Sequence, residues 1–198
     1  MNTTSIQALL NEARLDEAIA TMNGEVKKDA ASVDKRAVLA ELLCIAGNLE
    51  RADVILNAIS DLDPGAAIGV AMFRQVIRAE QARQQFYTEG RLPEFHTKPE
   101  GAMELELRAA VALREGSLAE AIALLAERES VRQPIGAMTD GTAISDFRDL
   151  DDLNAAHLEV LTPTGKYFWI PNATIEAIEF RKPERRRDLL QRQPQPDS

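Results

Sequence analysis

The sequence predicts an α+β protein, with helical hairpins in tandem over residues 1–132, a small β-rich module over residues 133–190 and a tail over residues 191–198. Three observations predict it. A short segment recurs at a fixed period in the first two-thirds of the chain. Apolar residues there fall three and four positions apart, the spacing that puts them on one face of a helix. After Pro134 the pattern changes to alternating and β-prone runs.

The recurring segments are Leu15-Asp16-Glu17-Ala18, Leu49-Glu50-Arg51-Ala52 and Leu118-Ala119-Glu120-Ala121. Each follows a turn-like dipeptide: Ala13-Arg14, Gly47-Asn48 and Gly116-Ser117. The leucines lie 34 and then 69 positions apart, one and about two units of the ~34-residue tetratricopeptide period. In this reading the turn ends one helix and the Leu starts the next against it. The Ala then lets the two backbones approach, and Met22, Leu56 and Leu125 extend each stripe by a turn. The domain is therefore expected to be tetratricopeptide-like, without the large aromatics of the full consensus.

The remaining helices follow from the same spacing. Thr4-Ser5-Ile6-Gln7 opens the first helix as a capping box. Asp63-Pro64-Gly65 breaks the chain before a longer helix over Ala66 to Tyr87. Ile68, Met72, Val76 and Ala79 are expected to line its buried face, widened by Phe73 and Ile77. Pro93 and Pro99 bracket a loop, and another helix is expected from about Glu100 to Arg114. In the β-rich part, His157 to Leu161 alternates as a strand. Thr162-Pro163-Thr164-Gly165 makes a turn, and Lys166 to Ile170 is strongly β-prone. Pro171 to Thr174 suits a single helical turn, and Ile175 to Phe180 alternates again. Strand, turn, strand, helical turn, strand is the order of a small SH3-like sheet.

Composition narrows the function. Apolar residues make up 45% of the chain and the formal net charge is −9, which disfavours a polyphosphate partner and suits cationic or amphipathic proteins. Residues 181–198 run against this trend, with six basic side chains and three acidic ones. Cys44, the one cysteine, sits in the apolar run Leu42 to Ala46 and is expected to be a buried, inert thiol. There is no secretory pattern at the N-terminus and no apolar run approaching the ~18 residues of a membrane span, so a cytoplasmic location is expected.

Chemistry is sparse. The sequence has no glycine-rich phosphate loop and no nucleophile with spaced partners. His96 and His157 lie far apart, and neither has a carboxylate nearby at metal-ligand spacing. Asp146, Asp149, Asp151 and Asp152 could offer oxygens to a divalent cation, but the glycine and terminal Glu of a calcium loop are missing. Helix capping, turn formation and pairing with the Arg-rich tail explain them more simply. No catalytic residue, metal or cofactor is expected. Trp169, between Phe168 and Ile170 and two positions from Tyr167, suits either a core strand or an interface.

The string Asp149-Leu150-Asp151, Leu158-Glu159-Val160, Gly165-Lys166-Tyr167-Phe168-Trp169-Ile170-Pro171 and then Ile175, Ile178, Pro183 and Arg187-Asp188-Leu189-Leu190 resembles the ImpE/TagJ (SciE-type) family of type VI secretion accessory proteins. The residues that carry the likeness are Asp149, Asp151, Glu159, Tyr167, Trp169, Pro171, Arg187 and Asp188. The sequence departs from the family at Leu153-Asn154-Ala155-Ala156, where Arg-Leu-Gly-Pro is common, and at Gln191, where a Trp is usual. The resemblance implies a non-enzymatic adaptor. Its partner would be the small subunit of the contractile sheath, engaged through an N-terminal helical segment, and indirectly the ATPase that recycles the sheath. A groove around Phe73, Ile77 and Phe86, with Trp169 as a further anchor, is the expected contact. The alternative is a general tetratricopeptide-type chaperone or scaffold for another protein. An enzyme using the acidic stretch as a metal site is the third class.

Overall fold

A computed structural model describes residues 3–180, 182, 183 and 188. The side chains of residues 3–5 lie outside that description, and with them the Thr4-Ser5 capping box. So do Arg181, Arg185, Arg186, Arg187 and Arg192 of the basic tail, and the whole of residues 191–198. The described chain holds seven α-helices followed by two small antiparallel sheets, so it is α+β. Among the described residues no helix is long and apolar enough to cross a membrane.

Two compact units divide the packing of the described residues, one of residues 3–77 with 179, 180, 182, 183 and 188 and one of residues 78–178. In the first, α1 (Thr3–Asn11), α2 (Leu15–Lys28), α3 (Val33–Ile45) and α4 (Leu49–Leu62) each pack on the next in sequence. The three repeat turns share one hydrogen-bond pattern. Ala13, Gly47 and Gly116 donate to the carbonyls of Leu10, Cys44 and Leu113, and the following residues donate to Leu9, Leu43 and Ala112. This is a Schellman turn, which needs a left-handed residue after the helix. Gly47 and Gly116 take φ 74° and 77°, and Ala13 takes 57°, at a cost of about 1–2 kcal/mol for its Cβ. After each turn comes an alanine with essentially no exposed surface: Ala18, Ala52 and Ala121. That is the close helix contact the repeat predicts. The expected role of the leading leucine differs in the third copy, where Leu118 faces solvent.

Asp63 caps a 3-10 turn, Pro64–Ala66, by accepting from the Gly65 N–H at 2.9 Å, and α5 (Ala67–Glu89) follows. Its buried face is the expected one in part: Phe73, Ile77 and Ala79 are buried and Val76 half-buried, but Ile68 and Met72 are not. Val70, Phe73 and Ile77 enter the first core beside Leu56 and Ile59, while Ile68 and Met72 are 78% and 56% exposed. Arg74 sets the rotation. Its guanidinium bridges Asp53 at 2.6 and 2.8 Å and Asn57 at 2.8 Å on α4, which turns the bulkier Phe73 and Ile77 inward.

The second unit pairs α6 (Ala102–Arg114) with α7 (Leu118–Val131) over Leu105, Ala109, Ala112, Ala121 and Leu124. Strands β1 (Ala137–Thr139) and β2 (Thr142–Ile144) form a hairpin about Asp140 and Gly141, both at positive φ as a type I′ turn requires. Strands β3 (His157–Leu161) and β4 (Tyr167–Pro171) pair antiparallel, with Glu159 opposite Trp169 and Leu161 opposite Tyr167. A 3-10 turn, Asn172–Thr174, follows as expected. The expected third strand does not form, since residues 175–179 belong to neither sheet. Instead Glu94 bridges the free edge of β4, donating to the Tyr167 carbonyl at 2.8 Å and accepting from the Trp169 N–H at 3.1 Å.

Candidate functional site

The alternation of β4 sends Tyr167 and Trp169 to the same side, where both are buried with Ala82 and Phe86 of α5 and Met103 and Ala110 of α6. Phe168 takes the other side and stacks on the His96 ring at 5.0 Å between centroids. Trp169 lies flat on the imidazole of His157, with centroids 3.6 Å apart and planes 19° apart. The ring of Phe86 meets it edge-on at 5.0 Å.

Two polar chains run through this apolar cluster. In the first, the Trp169 indole N–H donates to the Tyr167 hydroxyl at 2.6 Å, and that hydroxyl donates to the Glu159 carboxylate. The Tyr87 hydroxyl donates to the same carboxylate oxygen at 3.0 Å, with Asn154 Oδ1 at 3.4 Å. Arg83, paired with Glu80 at 3.1 Å, approaches the other Glu159 oxygen at 3.7 Å. In the second chain the Glu106 carboxylate is wholly buried. It accepts from the Ala156 N–H at 2.8 Å and from His157 Nδ1 at 2.8 Å, and lies 3.5 Å from Arg128 Nε. A carboxylate partner places the His157 proton on Nδ1. Arg128, also buried, donates to the Asp152 carbonyl at 2.8 Å. His157 Nε2 and Arg128 Nε are buried without a hydrogen bond. Together these chains tie α5, α6 and α7 to β3 and β4.

Tyr87 and Tyr167 are the two tyrosines of the chain, and both belong to this network. Burial, then the negative charge of Glu159, pushes the Tyr87 hydroxyl up to about 12 and raises Tyr167 as well. A raised phenol favours the fold below the unfolded value of ~10 and loses that contribution as pH climbs through the folded value. Absorbance at ~295 nm should therefore show almost no tyrosinate in the native protein at pH 11, and two ionised tyrosines in denaturant. Ordinary titration near 10 in the folded protein would mean that the network is open to water.

The acidic stretch is used structurally. Asp146 accepts from Arg132 at 2.8 and 2.6 Å and from the Ile135 N–H at 3.2 Å, and Arg132 holds its carboxyl at about 2. Asp149 and Asp151 each accept from a backbone N–H two residues on, at 2.8 and 2.9 Å, shaping the turns that lead to β3. Asp152 pairs with Arg148 and lies 3.7 Å from Arg128. Among the described residues the cations here come from α7 and its neighbourhood, and the arginines of the tail lie outside that description.

The expected contact residues are all buried: Phe73 and Ile77 in the first unit, Phe86 and Trp169 in the second. Of the motif residues, Glu159, Tyr167 and Trp169 converge, Pro171 ends β4 opposite His157, and Asp149 and Asp151 form turns. Arg187 lies outside the described residues. Sequence reasoning missed Glu106 and Arg128. The available signal was a charge set within an apolar helix stripe: Glu106 three positions after Met103 and three before Ala109, and Arg128 four after Leu124.

A family model described as ImpE protein matches residues 141–195, the segment that carries β2 to β4. The type VI secretion system accessory component TagJ of Pseudomonas aeruginosa is 24% identical over 184 residues, covering 93% of this chain. The chain spans 65% of that relative's length. The crystal structure of protein VPA1032 from Vibrio parahaemolyticus superposes with a TM-score of 0.89 at 26% identity, over 95% of this chain and 71% of that one. With Glu159, Tyr167 and Trp169 of its motif brought together inside the matched segment, the chain is similar to the ImpE/TagJ family.

Proposed function

We propose that this protein is a non-enzymatic, cytoplasmic accessory component of a type VI secretion system that binds a helical segment of the small sheath subunit. The observation that carries the reading is the match to the TagJ accessory component over 93% of the chain. The geometry supports the non-enzymatic part. Glu106 and His157 have the chemistry of an acid–base pair but no exposed surface, so a substrate has no path to them. Helices that pack each on the next in sequence support the binding part, since packed helices offer faces to an amphipathic helix. Any influence on the sheath-recycling ATPase would pass through the sheath.

Titration calorimetry against a peptide spanning the N-terminal helix of the cognate sheath subunit tests this directly. The expected result is saturable binding at micromolar affinity or tighter, weakened by added salt because the receptor is acidic. A folded protein that shows no heat at about 100 μM peptide would overturn the sheath partner, and the chaperone reading would take its place.

A further inference from the structure

Helix α3 packs on α2 and on α4, and its buried residues are Leu39, Ala40, Leu42 and Leu43. Asp34, Ala37, Val38, Glu41, Cys44 and Ile45 recur at intervals of three and four, so they share the opposite face. None of the six is buried. Ala37, Val38, Cys44 and Ile45 touch the first core and stay partly open to solvent. Asp34 and Glu41 run along the middle of the face. The cations of the helix point elsewhere: Lys35 lies within reach of Glu25 and Asp29, and Arg36 donates to the Ala30 carbonyl. The face is therefore apolar with an acidic centre. One stretch of the chain has the complementary chemistry. Residues 185–192 hold four arginines against one aspartate, and they carry Leu189 and Leu190, the one apolar pair of residues 181–198. The described residues around this stretch, 179, 180, 182, 183 and 188, group with the first unit, to which α3 belongs.

We propose that residues 185–192 cover this face of α3 in the same molecule, with Leu189 and Leu190 against Val38 and Ile45 and the arginines along Asp34 and Glu41. Glu41 and Cys44 on the face and Asp188 in the segment are none of them free of partners, as a covered face requires. The tether favours this occupant over a second copy. A short linker gives an effective concentration on the order of millimolar, and two chains of net charge −9 repel each other. A partner helix that is apolar and cationic meets the face already filled and must displace the segment. The inference draws on this chain alone and does not rest on the sheath partner.

Cys44 is the one cysteine of the chain and sits on this face, so its reaction with N-ethylmaleimide, an uncharged reagent, reports the cover. The rate is compared in the full chain, in Leu189→Ala/Leu190→Ala, in Arg185→Glu/Arg186→Glu/Arg187→Glu, and in that triple variant combined with Asp34→Lys/Glu41→Lys. Circular dichroism checks that each is folded. The expected result is a several-fold faster reaction in the first two variants, and in the unmodified chain at high salt. Exchanging both sets of charges should bring the rate back toward the slow one. Local charge alone predicts the reverse, because cations near a thiol activate it: losing arginines would slow Cys44 and gaining lysines would speed it. Equal rates in all four proteins overturn the proposal. So does a rate that falls as the protein concentration rises, because the segment of a second copy would then be the occupant. Where the charge-exchanged protein does not fold, the alanine variant and the salt series decide alone. The rates are read without the sheath peptide, so its failure to bind leaves this result standing.

Discussion

Replacing Glu106 with leucine should destabilise the second unit by about 3–5 kcal/mol, because it strands a buried arginine. Urea unfolding followed by tryptophan fluorescence measures this cleanly, since Trp169 is the one tryptophan of the chain and stacks on the histidine that Glu106 holds. Without the carboxylate, Arg128 keeps, among the described residues, Glu129 and the more distant Asp152 as anionic neighbours, both exposed to water. The His157 Nδ1–H and the Ala156 N–H lose their acceptor together. Glu106→Gln should cost less, about 1–3 kcal/mol, because one amide oxygen still accepts while its NH2 opposes a donor. Glu106→Leu with Arg128→Met should recover part of the loss, since an apolar pair replaces a buried ion pair with no charge left over. A loss under about 1 kcal/mol for Glu106→Leu would mean that water reaches the pair and that it does not brace α6 and α7 against β3.

The parts of the fold that were legible in the sequence are those written in neighbouring residues. Gly47 and Gly116 announce left-handed turns because a side chain there is strained, and Ala18, Ala52 and Ala121 announce close helix packing because nothing larger fits. The face of α5 was legible only in part, at Phe73, Ile77 and Ala79. Ile68 and Met72 compete with Phe73 and Ile77 as overlapping apolar stripes, and an ion pair to α4 decides between them. Alternation at Ile175 to Phe180 was misleading for a related reason. Glu94, from a loop far earlier in the chain, takes the outer edge of β4, a pairing that no local pattern announces. The candidate site was half legible. Tyr167 and Trp169 fall on one side of a strand by their spacing alone. The carboxylate of His157 lies 51 positions away on α6, beyond any local pattern.

Trp169→Ala should cost about 3–5 kcal/mol, the usual range for a buried tryptophan cut back to alanine. Circular dichroism and calorimetry must read it, because the fluorophore is gone. The indole touches His157, Phe86 and Phe95 and is 1% exposed, so its removal opens the middle of the cluster. Trp169→Phe should retain the stack on His157 and lose about half as much. Tyr167→Phe isolates the polar component. It leaves the indole N–H without an acceptor and takes a donor from Glu159, at about 1–3 kcal/mol. The ranking decides what the family motif is for. An interface anchor would lose partner binding on Trp169→Ala while keeping its unfolding temperature. A buried keystone loses stability first, and binds its partner normally in the Trp169→Phe protein at a temperature where that protein is folded. The burial of Trp169 and its bond to Tyr167 predict the second outcome.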